Sequence, residues 1–226
     1  MQKRTLLAAA FLAACSTSVL ADGVAVGANA GTKGLGLELT HGVLDNLNVR
    51  GAFNTFSYGY DTTEDGIKYD GDLDLRNAGL MLDWFPFRGS FRMSAGAMYN
   101  GNKFKGKGNG SGVYELGADD TRYTIDGELR GEIDWRNFAP YVGLGWGNPV
   151  AKNWGFTFDV GVMFTGSPDA RLTATGTATP EGGTPIDVST DPTFQQHLAE
   201  EQARLNDEIE DAKFWPVVQL GLHYKF

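Results

Sequence analysis

The chain closes on "VVQLGLHYKF", Val217 to Phe226, in which apolar and polar residues alternate up to the last position. Over the longer "FWPVVQLGLHYKF", Phe214, Pro216, Val218, Leu220, Leu222, Tyr224 and Phe226 share one side of an extended chain. Gln219, His223 and Lys225 share the other, because successive side chains of a strand point to opposite faces. The same split recurs upstream. Phe156, Phe158, Val160, Val162 and Phe164 oppose Thr157, Asp159 and Thr165; Phe91, Met93, Ala95, Ala97 and Tyr99 oppose Arg92, Ser94 and Asn100; Leu35, Leu37 and Leu39 oppose Glu38 and Thr40. A period of two sustained in this way predicts strands rather than helices.

Eight strands account for the pattern: Gly23 to Ala30, Gly34 to Val43, Leu47 to Tyr58, Asp72 to Phe85, Phe91 to Lys103, Ile125 to Gly147 with a bulge at Arg136 and Asn137, Trp154 to Thr165, and Phe214 to Phe226. The tight "GTKG" joins the first two. The connections at 44–46, 86–90 and 148–153 are short, whereas those at 59–71, 104–124 and 166–213 are long. With eight strands the short and long connections fall on opposite ends, as in outer-membrane barrels with short periplasmic turns and long external loops. An alternating soluble sandwich has no reason for that asymmetry.

The N-terminus fits the same class. Lys3 and Arg4 precede an apolar stretch from Leu6 to Ala14, and "VLA" stands before Asp22, so residues 1–21 read as a secretory signal. The stretch is too short for a membrane helix, which needs about 20 residues. "LAAC", ending at Cys15, also resembles a lipoprotein box; cleavage after Ala21 would instead remove the only cysteine. The domain expected is therefore 22–226, an all-β, eight-stranded antiparallel transmembrane barrel in the cell outer membrane, embedded in lipid and lipopolysaccharide. Trp84, Phe85, Phe91, Trp154, Phe156, Tyr224 and Phe226 lie near short turns or the terminus, where an interfacial aromatic girdle belongs.

Charge narrows the function. The chain has 19 basic residues, two of which leave with the signal, against 28 acidic ones. Nucleic acid is excluded as a partner by that balance. Histidines are three and scattered: His41 and His223 toward the periplasmic end, His197 in the last loop, none with an identifiable serine partner. Neither an enzyme nor a metal site is indicated, and no cofactor is called for. "GNGSG", Gly108 to Gly112, lacks the Lys-Ser/Thr of a P-loop and reads as a flexible external loop.

Two charge constellations remain. Glu38, Arg50, Asp83, Arg92 and Asp159 all take inward parity, come from five strands and lie toward the short-turn end. An eight-stranded barrel is just wide enough to be filled by side chains, so these charges form either a salt-bridged plug or a polar path with a mild cation preference. In the last loop, Asp191 caps a helix with Pro192 at its first position, and Phe194, Leu198, Leu205 and Ile209 fall near one face. Glu200, Glu201, Asp207, Glu208, Glu210 and Asp211 make that helix acidic, either as a solvated face over the rim or as a lid concentrating cations.

The run "APYVGLGWGNPVAKNWGFTFDVGVMFTGSP", Ala139 to Pro168, and the terminal "FWPVVQLGLHYKF" resemble small Gram-negative outer-membrane barrels of the OmpX and OmpW type. The "KNWG" before the seventh strand, the "TGSP" after it and the acidic helix-like stretch are most similar to CarO-type ornithine-uptake porins. The resemblance spans 139–226 and is only a pattern before it. It implies passage of small solutes, basic amino acids among them, and a terminal aromatic, Phe226, read by the barrel-assembly machinery. A narrow porin-like channel is the first reading, and a non-conducting structural or adhesion barrel with a plugged lumen is the alternative.

Overall fold

The structure, a computed structural model, describes residues 23–64, 67–117 and 119–226. The signal segment and Cys15 lie outside the described residues. The elements are β1 (Val24–Gly31), β2 (Gly34–Leu44), β3 (Leu47–Glu64), β4 (Ile67–Trp84), β5 (Phe91–Asn100), β6 (Lys103–Leu116), β7 (Thr121–Asp134), β8 (Phe138–Trp146), β9 (Trp154–Phe164), β10 (Asp169–Pro180), β11 (Ile186–Asp187), α1 (Pro192–Ile209) and β12 (Phe214–Lys225).

Antiparallel pairing runs β1–β2–β3–β4–β5–β8–β9–β12 and returns from β12 to β1, closing a ring of eight. Closure leaves no unpaired edge facing lipid, the condition for a sheet in a bilayer. Two interruptions do not break the register. β4 pairs β5 through Asn77↔Asn100 and β6 through Asp74↔Lys103, with the Gly101 amide donating to Arg76 O at 2.7 Å between them. β7 and β8 likewise continue one line along β6 and β5, separated at 135–137, where the sequence predicts a bulge.

The long connections depart from expectation. Residues 59–71 and 104–124 are mostly strand: β3 runs on to Glu64, β4 starts at Ile67, and β6 and β7 pair from Lys103↔Asp134 to Leu116↔Thr121. "GNGSG" lies inside β6 and is paired with β7, so it is not a flexible loop. Residues 166–213 hold β10, β11 and α1. Together β3, β4, β6, β7, β10 and β11 form an external sheet rising from one side of the barrel. Loop-like composition misled here because glycine and charge are tolerated on strands whose outer face meets water.

Side-chain character marks the membrane boundary. Within the ring the outward residues are apolar and exposed, such as Leu37, Leu80, Val142, Val160 and Leu220. Above it the outward residues of β4, β6 and β7 are largely charged, and Lys103 and Lys107 reach Glu132 and Glu128 at 2.7 and 2.6 Å. The Lys103 ammonium holds the Glu132 carboxyl below its usual range by hydrogen bonding. On β12 the apolar band extends from Phe214 to Tyr224; at about 3.4 Å per residue and about 40° of tilt it is roughly 25 Å tall, the height of a barrel's lipid belt. Aromatic pairs sit at both margins: Phe164 with Phe214 at 5.5 Å above, Trp154 with Tyr224 at 4.9 Å and Tyr224 with Phe226 at 5.2 Å below. Phe85 is not part of this girdle. It follows outward Trp84, takes inward parity and is fully buried.

Helix α1 begins as expected, the Asp191 carboxylate accepting from the Phe194 amide at 2.8 Å. Phe194 and Leu198 are buried against Tyr123, Ile125, Ala174 and Ala178 of the external sheet, while Leu205 and Ile209 are half-buried. The helix also covers a sheet edge. Asn206 donates to Ala170 O at 3.2 Å and accepts from its amide at 2.7 Å, and Gln202 accepts from the Leu172 amide at 3.0 Å. These side chains replace a missing neighbouring strand and blunt the edge of β10.

Candidate functional site

The five inward charges predicted from parity meet inside the barrel. Arg50 on β3 is the hub: its Nε and Nη2 donate to the two oxygens of Asp83 at 2.8 and 3.0 Å, and its Nη1 donates to Glu38 at 3.1 Å. Nη1 and Nη2 also reach the two oxygens of Asp159, each at 3.4 Å. Arg92 Nη2 donates to both Asp159 oxygens at 2.8 Å, and Nη1 donates to Gly147 O. Ser94 Oγ closes the network by donating to Asp83 at 2.6 Å. All five charged residues are buried, and Arg92 and Asp83 are wholly so. Charges cannot be isolated in such a medium, which is why each carboxylate meets a guanidinium.

One glycine makes the arrangement possible. Gly145 on β8 lies between Arg92 and Asp159 in the register, and a Cβ there would fall 2.7 Å from Arg92 Nε and 2.8 Å from Asp159 Oδ1. The guanidinium–carboxylate pair fills the space a side chain would take.

Above the charges, toward the external end, lies a layer of amides. Asn29, Gly36, Asn54, Asn77 and Asn100 are successive cross-strand partners. Asn54 Nδ2 and Gln219 Nε2 donate to Asn29 Oδ1, the latter at 2.7 Å, and Asn77 Nδ2 donates to Asn102 Oδ1 at 2.9 Å. Asn29 Nδ2, Asn54 Oδ1, Asn77 Oδ1 and Asn102 Nδ2 find no partner among the described residues. Opposite the amides the interior is apolar, with Met81, Met98, Tyr141, Met163 and Val217 buried together.

Sequence reasoning missed one charge in this lumen. Lys33, in the tight turn between β1 and β2, is 2% exposed, and its ammonium lies over the Tyr141 ring, 6.0 Å from the centroid. A lysine in "GTKG" reads as a solvent-facing turn residue. Only the inward tilt of the turn, which parity does not encode, places it inside.

The acidic lid residues stand apart from this network. Asp207, Glu208, Glu210 and Asp211 are exposed, and Glu200 and Glu201 are half-buried. Glu201 pairs with Arg204 at 2.7 Å and Asp211 with Lys213 at 3.2 Å. No ion pair among the described residues joins these acids to the lumen. His223 is buried in the barrel with neither ring nitrogen bonded, and His197 Nδ1 meets the Tyr123 hydroxyl at 3.1 Å. Among the described residues no group of histidine, cysteine or carboxylate side chains is arranged to hold a metal ion.

A ring of eight antiparallel strands, an apolar belt about as tall as a bilayer core and a polar interior define an outer-membrane β-barrel, here with an external sheet and docked helix. The same fold is found in CarO2 of Acinetobacter baumannii, with a TM-score of 0.58 and 22% identity over 90% of this chain and 98% of that one. The crystal structure of Acinetobacter baumannii CarO is similar at a TM-score of 0.56, with the same identity and coverage. At that identity the likeness is one of fold. No protein-family model matches the chain, and no curated protein matches it in sequence.

Proposed function

We propose that this protein is a closed outer-membrane barrel whose lumen charges crosslink the wall, and whose external sheet and helix form the surface offered to the surroundings. The observation that carries this reading is the saturation of the charge network. Each of Glu38, Asp83 and Asp159 is buried and bonded to an arginine, and the buried Lys33 offsets the one acid in excess of Arg50 and Arg92. On this reading the three acids brace the wall instead of drawing in a cation.

The narrow porin-like route for small solutes, basic amino acids included, is the second reading. The four unpartnered amide atoms above the network favour it, because a polar layer with unused hydrogen-bonding capacity suits a passing solute. Uptake of ornithine, lysine, glycine and glutamate into liposomes carrying the purified barrel, beside protein-free liposomes, separates the two. Entry no faster than in the protein-free control is expected of a closed barrel; selective entry of any of the four would overturn it.

A further inference from the structure

The buried charged residues of the barrel are Glu38, Asp83 and Asp159 on one side of the balance and Arg50, Arg92 and Lys33 on the other. The arginines alone leave the lumen one negative charge in excess. Lys33 completes neutrality, yet it differs from the arginines in kind: it forms no salt bridge among the described residues, and it enters from a turn rather than from the wall.

That turn is built to hold it. Thr32 is stitched to β12 four times: its amide donates to Val218 O at 3.0 Å, its hydroxyl donates to Pro216 O at 2.8 Å and accepts from the Val218 amide at 3.0 Å, and its carbonyl accepts from Trp215 Nε1 at 3.3 Å. The Lys33 amide then donates to Gln219 Oε1 and its carbonyl accepts from Asn77 Nδ2, both at 3.4 Å. Gly34, at φ +96°, supplies the left-handed conformation that lets the chain return into β2. The hairpin is thus pinned to β12 and β4, and Lys33 is buried with its ammonium over the Tyr141 ring.

We propose that the lumen contains a site for a primary alkylammonium group, and that the protein fills this site itself with Lys33. The site consists of the Tyr141 ring face and the surplus negative charge of the Glu38, Asp83 and Asp159 set. An aromatic face and a net negative field are the two features that recognise a compact ammonium ion. The lysine is a plug held in cis, so the intact barrel has no vacancy for a free amine. The inference rests on the closed-lumen reading, but its test reads stability rather than flux.

The experiment removes the plug and returns its atoms. Lys33→Ala deletes the equivalent of n-propylammonium from the lumen. The refolded variant is expected to unfold at lower urea concentration than the wild type, and n-propylammonium is expected to restore most of that difference. Propan-1-ol, similar in size and uncharged, should not, and the wild type should not respond to either. Lys33→Met, which fills the space without the charge, should lose stability and gain nothing from the amine. Equal stability of Lys33→Ala and wild type, or equal effects of amine and alcohol, would overturn the proposal. If Lys33→Ala does not refold unaided, amine-specific recovery of refolding supports the site and its failure counts against it. Solute entry through the wild type would sink the closed-barrel reading and leave this result to stand or fall separately.

Discussion

Asp159→Asn is the most informative change to the charge network. Asp159 is the one carboxylate within hydrogen-bonding distance of Arg92 among the described residues; the next, Asp83, lies 3.9 Å away, and Arg92 Nε is already unpartnered. The asparagine keeps the shape but presents an amide donor to a guanidinium that can only donate. Arg92 would then be a wholly buried cation whose acceptors within hydrogen-bonding distance, the amide oxygen at 159 and Gly147 O, are both neutral. Removing one partner of such a pair costs about 3–5 kcal/mol. Glu38→Gln is the internal control. It weakens a single 3.1 Å contact while Arg50 keeps its two-pronged grip on Asp83, so a loss nearer 1.5 kcal/mol is expected. Urea unfolding of the refolded barrel in lipid vesicles measures both, with an unchanged denaturant slope required for the comparison. An Asp159→Asn barrel within about 1 kcal/mol of wild type, the range of exposed ion pairs, or a Glu38→Gln barrel that loses more, would refute the account of the lumen as a desolvated crosslink.

Three further outcomes follow from the geometry. Gly145→Val should displace the Arg92–Asp159 pair and cost at least the about 1–3 kcal/mol of an overpacked core, read as a lower unfolding midpoint; wild-type stability would mean the strand can shift to admit a side chain. Deleting residues 192–211 should leave a heat-modifiable barrel while exposing Tyr123, Ile125 and the β10 edge, so limited proteolysis should cut the external sheet faster; loss of the barrel itself would give α1 a structural role. Phe226→Ala removes a ring contact at 5.2 Å from Tyr224. Such pairs contribute about 0.5–1.5 kcal/mol. A drop in assembled protein in cells well beyond this small loss of refolded stability would support an assembly signal, and parallel losses would make Phe226 a girdle residue only.

Alternation along the chain determined which residues face lipid and which face inward, because side-chain direction in a strand is a local property of period two. Glu38, Arg50, Asp83, Arg92 and Asp159 were legible as inward charges for that reason, as was the helix start at Asp191 from its cap and proline. Only closure of the ring decided that those charges meet, since cross-strand register and shear bring residues 109 positions apart, such as Arg50 and Asp159, within 3.4 Å. The external sheet escaped the sequence because above the membrane the outer face of a strand meets water, and the apolar signal that marks a spanning strand disappears from it. Phe85 and Lys33 escaped for a related reason: both lie just past a strand end, where local alternation stops and the surrounding wall sets direction. In Lys33 that direction turns an ordinary turn residue into the sixth charge of the lumen.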